Sequence, residues 1–270
     1  MSNGYDITAR AWRRFTFERR ERVLFAWITS DHRMNGVDEA MHEEFAEVFT
    51  ALQRDAHSDI VVLSGRGRAF CAGGDFDWFQ AQVDDPARFR AITWDAKRIV
   101  NSLLEMDKPI VCRLNGAAAG LGASIALLCD IIIADETALI GDPHVKAGLV
   151  AGDGGALIWP QLIGYARAKE LLMTGDMLTA KEAVALGPVN YAVPAAELDG
   201  RVDALVAKLA ANPRWAVRWT KTAVNIPLRA LSAQLMDACI GWETASNYLD
   251  DRREAVAALR EKRAPDYTGE

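Results

Sequence analysis

Apolar and polar positions along the chain set out a succession of short strands and amphipathic helices. Phe15 to Glu18 and Val23 to Ile28 are apolar runs around the charged Arg19-Arg20-Glu21-Arg22, which is a hairpin pattern. Asp38 opens a helix whose Met41, Phe45, Val48, Phe49 and Leu52 fall on one face. Ile60 to Leu63 reads as a short buried strand, and the stretch from about Pro86 to Met106 as a helix turning Ile99, Val100, Leu103 and Leu104 inward. Ile131 to Ala134, Ala138 to Ile140 and Val189 to Val193 read as further short strands. From Ala156 the pattern is mostly helical, broken at Gly175 and Gly187-Pro188, and past Ala195 nothing strand-like remains. Strands alternating with helices, then helices alone, predict an α/β core with a helical appendage. The core spans 15–195 and the helical region 196–270, with Asn212-Pro213 a candidate boundary inside the latter. Residues Met1 to Arg14 read as a loose arm, and His32 and His57 as solvent-facing loop residues.

Three strands run directly into glycine-rich loops. The first is Gly65 to Asp75, the second Asn115 to Gly122 and the third Ala151 to Gly155. The second is the most pronounced: Ile110 to Leu114 reads as a strand, then come Asn115-Gly116, a loop of Gly and Ala alone, and an apolar helix carrying Ser124. Small residues there leave backbone open to a ligand, and the first N–H groups of the helix have no partner within it. Tight strand–helix packing also calls for Gly and Ala, so both readings stand on this stretch alone. Together the loops predict one cleft built from several loop backbones.

Composition narrows the function classes. The chain has 270 residues, half of them hydrophobic, enough for a sizeable core. A net charge of −6 argues against non-specific nucleic-acid binding. No apolar run reaches the roughly 18 residues that span a bilayer. The N-terminal residues have no apolar core of the signal-peptide kind, so the expectation is a cytoplasmic protein. Cys71, Cys112, Cys129 and Cys239 form no CxxC pair and read as buried thiols. The four histidines His32, His42, His57 and His144 make no cluster with metal-ligand spacing, and the dinucleotide and P-loop glycine patterns are absent.

Gly65-Arg66-Gly67-Arg68-Ala69-Phe70-Cys71-Ala72-Gly73-Gly74-Asp75, followed by Asn115-Gly116 and its loop ending at Cys129-Asp130, resembles the crotonase (enoyl-CoA hydratase/isomerase) superfamily. The resemblance runs from about Phe15 to Tyr267. It implies a spiral of ββα units, a C-terminal helical trimerisation region, and a homotrimer or dimer of trimers. It also implies acyl-CoA substrates of the fatty-acid-metabolism kind, with coenzyme A entering as part of the substrate and no further cofactor. By motif position its oxyanion-hole N–H groups fall on Gly74 and Leu121, and substrate contacts on Met34, Asn35, Ala72, Asp75, Gly120, Ser124 and Lys262. For Lys262 a solvated helix-end cation is an equal reading, and Asp75 also reads as a residue tying its loop together.

The departures from that family are informative. Where its hydratases carry two glutamates, this chain has Ser124 and His144. Ser124 cannot act as a general base at neutral pH, and small-residue helix packing accounts for it. Pro143-His144 through Gly152-Asp153-Gly154 resembles the β-diketone hydrolase branch, of the oxocamphor hydrolase type, in which a His–Asp pair activates water to cleave a carbon–carbon bond. A carboxylate at one imidazole nitrogen fixes the tautomer and raises basicity at the other. His144 and Asp153 are therefore the candidate catalytic residues; a structural His144 and an Asp153 capping the next helix is the alternative. His42 reads as a partly exposed or packed helical residue that could also line the same cleft, and Cys71 as packing. Three functions remain: an acyl-CoA hydratase/isomerase without the glutamate pair, a C–C bond hydrolase on a β-dicarbonyl compound, and a non-catalytic acyl-CoA-binding protein.

Overall fold

A computed structural model describes residues 4–269. The chain begins with the hairpin β1 (Phe15–Arg20) and β2 (Val23–Ile28), paired antiparallel from Phe15 opposite Ile28. Helix α1 (Glu39–Arg54) follows, capped by Asp38, whose side chain accepts from the N–H of Met41. Then come β3 (Ile60–Gly65), β4 (Ala69–Cys71), α2 (Phe76–Asp84) and α3 (Pro86–Glu105). Next are β5 (Ile110–Leu114), β6 (Ala117–Ala119), α4 (Leu121–Leu128), β7 (Ile131–Asp135), β8 (Leu139–Gly141), α5 (Gly155–Ile163) and α6 (Tyr165–Thr174). The chain closes with β9 (Met177–Thr179), α7 (Ala180–Leu186), β10 (Tyr191–Val193), α8 (Leu198–Ala210), α9 (Arg214–Ser246) and α10 (Asp250–Glu261).

Two sheets form. One has the strand order β1-β2-β3-β5-β7-β10 and is parallel from β2 onward; the other has the order β4-β6-β8-β9. The chain visits them in turn: β3 then β4, β5 then β6, β7 then β8, each pair followed by helix. That repeated ββα step is the spiral expected for a crotonase-type α/β fold. The first sheet is covered on both faces, so β3 is buried along its whole length. Its side chains alternate: Leu24, Val61, Leu63, Cys112 and Ile132 join the main core with α1, α3 and α4. Phe25, Ile60, Val62, Val111 and Ile133 face the other way, onto Leu198, Val202 and Val206 of α8.

The structure differs from the sequence reading in several places. β4 and β6 lie inside stretches read as loop, and β9 inside one read as helical. Each is three residues long, too short for a period-2 pattern. The helical region beyond residue 195 is not a separate tail: α8 completes the second core cluster and α9 packs along α3. The arm is packed in the residues described. Ile7 is fully buried, and Asp6 pairs with Arg19 at 2.9 Å; residues 1–3 lie outside the described residues. His32 does not face solvent freely. Its Nδ1 lies 3.1 Å from Asp75 and its Nε2 3.2 Å from Asp38, so it bridges the caps of α1 and α2.

Candidate active site

Loops from successive turns of the spiral converge on one largely apolar cavity of about 270 Å³. Ala72, Gly73 and Gly74 enter after β4, Gly120 and Leu121 at the β6–α4 junction, and Pro143, His144 and Asp153 from the segment between β8 and α5. α2 and α3 supply apolar wall, and α9 adds Ile240 and Glu243. Two asparagines hold the first loop in shape. Asn115 Oδ1 accepts from the N–H of Gly65 at 3.0 Å, and its Nδ2 donates to the carbonyls of Gly67 and Ala69. Asn35 Nδ2 donates to the carbonyls of Arg66 and Ala69, both at 2.9 Å, and to Phe70 at 3.2 Å.

At two of the cavity glycines a side chain would collide with a neighbouring ring. Gly120 has φ of 53°, and a Cβ there would lie 3.1 Å from Cε1 of His144. At Gly74 a Cβ would overlap the Phe79 ring. The N–H groups of Gly74 and Leu121 make no backbone hydrogen bond among the described residues, although their neighbours do. Leu121 is the first residue of α4, where an orphan donor is expected.

His144 sits between two carboxylates. Its Nδ1 is in short contact with Asp142 Oδ1, and its Nε2 lies 3.3 Å from Asp153 Oδ2. Ser124 Oγ donates to the other oxygen of Asp153 at 3.4 Å. Burial opposes charge on this imidazole, but Asp142 and Asp153 outweigh it and hold His144 protonated well above the ordinary histidine range. Glu243, on α9, behaves in the opposite sense for a carboxyl. Burial, reinforced by the charge of Asp153 and only partly offset by His144, pushes it well above the ordinary range. The set Asp142, His144 and Asp153 has the chemistry to ligate a metal. As placed, the carboxylates meet opposite nitrogens of one ring, which is the order of a proton relay.

The candidate residues divide into three groups. His144 and Asp153 come together at the cavity, with Gly74, Leu121, Ala72 and Gly120 around them. Ser124 is fully buried and does not line the cavity; it acts on Asp153 rather than on a ligand. Asn35 spends its amide on three carbonyls and Met34 accepts from the N–H of Ala72, so both shape the loop. Asp75 caps α2, accepting from Asp77 at 3.0 Å, and Lys262 is an exposed residue ending α10 in the left-handed conformation. None of Met34, Asn35, Asp75 and Lys262 lines the cavity. His42 does line it; burial pushes its pKa down to about 4, so the ring is neutral. Burial pushes the Cys71 thiol up to about 12, leaving it protonated and a packing residue. Asp142 and Glu243 were not legible as site residues. Asp142 stands one residue before Pro143 as an ordinary turn residue, and Glu243 lies in helical sequence about 90 residues beyond Asp153.

The fold and this backbone-lined cavity define an α/β enzyme of the crotonase type. The chain belongs to the enoyl-CoA hydratase/isomerase family, whose model matches residues 19–270. It is 31% identical over 250 residues to a 1,2-epoxyphenylacetyl-CoA isomerase of Escherichia coli (strain K12), covering 92% of this chain and 95% of the relative. Among solved structures it resembles an enoyl-CoA hydratase/isomerase from Mycobacterium paratuberculosis, with a TM-score of 0.86 and 32% identity over 91% of this chain and 98% of that one. It also resembles a beta-diketone hydrolase from the cyanobacterium Anabaena sp. PCC 7120, solved with (S)-3-oxocyclohexyl acetic acid bound. There the TM-score is 0.82 and the identity 29%, over 88% of this chain and 95% of that one.

Proposed function

We propose that this family member processes an acyl-CoA thioester through an enolate, with a His–Asp relay in place of a glutamate pair. One observation carries the reading: His144 and Asp153 share a cavity with two backbone N–H groups that have no backbone acceptor. The thioester carbonyl oxygen is held by the N–H groups of Gly74 and Leu121. As the enolate forms, negative charge collects on that oxygen, and donors fixed on backbone stabilise it without reorganising, by roughly 3–4 kcal/mol per donor in comparable sites. Asp142 tethers Nδ1 of His144 and sets the ring's orientation, leaving Nε2 and Asp153 at the reacting side. In hydration the carboxylate of Asp153, beside the protonated His144, accepts a proton from water as its oxygen bonds to the β-carbon, and the α-carbon takes a proton back from the His144–Asp153 pair as the enolate collapses. In isomerisation the same groups move a proton between carbons.

A second reading is favoured by the His–Asp arrangement and by the likeness to the beta-diketone hydrolase. Here water adds to one carbonyl of a β-dicarbonyl compound and the carboxylate of Asp153, beside the protonated His144, takes its proton. The C–C bond then breaks, its electron pair leaving as an enolate on the second carbonyl, held by the same two N–H groups.

Calorimetric titration with crotonyl-CoA and acetoacetyl-CoA, each beside its CoA-free analogue, separates the two. Binding that requires the CoA portion supports the thioester reading; equal or better binding of the free diketone supports C–C hydrolysis. In either case His144→Ala is expected to lower kcat about 10²–10⁴-fold while ligand still binds. A variant that keeps the wild-type rate would remove His144 from the mechanism.

A further inference from the structure

The cavity wall contains buried polar atoms that have no hydrogen-bond partner among the described residues. Gln82, on α2, is 1% exposed, and neither Nε2 nor Oε1 of its side chain has a hydrogen-bond partner among the described residues. The residue lines the cavity that also holds Gly74, Leu121 and His144. Its backbone is fixed, because the carbonyl of Gln82 accepts from Nδ2 of Asn247 at 3.2 Å. Nδ1 of His42, in the same lining, is likewise unpartnered. Phe79, Phe89 and Ile92 make the surrounding wall apolar. A buried amide offers two donors and an acceptor oxygen, and leaving all of them unpaired is costly. A cavity shaped only for a hydrocarbon chain gains nothing from such a group.

We propose that Gln82 is a specificity-determining residue whose amide receives an oxygen carried by the acyl portion of the substrate. The preferred ligand is then an acyl group with a hydroxyl or keto oxygen beyond the reacting carbonyl, not a plain alkyl or alkenoyl chain. The inference deepens the thioester reading above and rests on it. A site built around a substrate oxygen rejects the analogue lacking it strongly, because its own polar groups are then left unpaired.

The test is a calorimetric comparison of the full-length wild type and Gln82→Met. The probes are hexanoyl-CoA and its 3-, 5- and 6-hydroxy derivatives, with cyclohexylacetate and 3-oxocyclohexylacetate as a CoA-free pair. Wild type is expected to prefer at least one oxygenated probe by about tenfold or more. Gln82→Met should erase that preference while binding the plain probe as well as before or better. Absence of a preference in the wild type, or its survival in Gln82→Met, overturns the proposal. Gln82→Leu serves as a second apolar replacement if the first lowers the melting midpoint. The two readings fail differently. If no CoA ester binds but the free pair shows an oxygen preference that Gln82→Met erases, the thioester reading falls and the role of Gln82 stands. If the esters bind without discrimination, the reverse holds.

Discussion

His144 and Glu243 both hold protons more tightly in the folded chain than in the unfolded one. The consequence for stability has one sign. Glu243 begins to cost stability as pH rises past the ordinary glutamate range, where only the unfolded chain releases its proton. The contribution of His144 is complete below its unfolded value near 6.5 and is lost as pH rises through its raised folded value. The melting midpoint of the wild type is therefore expected to fall between pH 6 and pH 9. Glu243→Gln should flatten that slope and raise the midpoint at pH 8 by a few degrees. A midpoint that rises with pH would contradict both assignments. Gly120 is the other decisive single residue. Gly120→Ala places a methyl group 3.1 Å from Cε1 of His144 at a φ of 53°. It is expected to cost about 1–3 kcal/mol in urea unfolding and at least about tenfold in kcat.

At the scale of elements, α10 is the strut behind the site. Arg252 is fully buried; its Nη1 donates to the carbonyl of Ala147 at 2.5 Å and its Nε to Asn247 at 3.3 Å. Its guanidinium also lies 4.7 Å from the centre of the Phe79 ring on α2. Burial lowers its pKa to about 10, with Glu243 opposing, so it stays charged at neutral pH. One side chain thus joins the C-terminal helix to the loop following His144 and to the cavity wall. Arg252→Met is expected to destabilise by about 2–3 kcal/mol in urea unfolding, since the Ala147 carbonyl loses a buried partner. A change below about 0.5 kcal/mol would mean that α10 docks without it. The long elements around this strut were legible because their periodicity runs for many residues, as in α1 and α3. β4, β6 and β9 were not: three residues of Ala, Cys, Met or Thr carry no period, and only pairing with a neighbouring strand makes them strands.

For the whole molecule, α9 leaves Trp215, Trp219, Val224, Ile226 and Trp242 exposed. The rings of Trp215 and Trp219 lie 5.6 Å apart, so part of this surface is a contiguous aromatic patch. Such a patch marks an interaction surface, and we propose that it is covered by further copies of this chain in a homotrimer. Light scattering after size exclusion is expected to give three times the chain mass of 29.6 kDa, or six times for a dimer of trimers. Trp219→Glu should shift the mass toward the monomer, and a wild type running as a monomer would overturn the proposal. Among the described residues no helix is long and apolar enough to cross a membrane.

The sequence by itself determined the alternation of strand and helix and the three glycine loops, while the pair His144 and Asp153 was implied by resemblance to the β-diketone hydrolase branch. The first two are local signals, fixed by side-chain periodicity and by the conformations open to glycine. Tertiary structure alone decided what the pair belongs to. Asp142 reaches Nδ1 because the turn after β8 folds the chain back within two residues, and Glu243 arrives on a helix from the far end of the chain. Ser124 and Asn35 carry the same polar atoms wherever they stand; their partners, a carboxylate and three carbonyls, turn them into supports of the site. Gln82 shows the converse, since its amide lacks partners only because folding seals it against an apolar wall. Local sequence specifies which groups exist and how the backbone bends, while desolvation and distance, set by contacts far apart in the chain, decide which groups are charged, paired or left for a ligand.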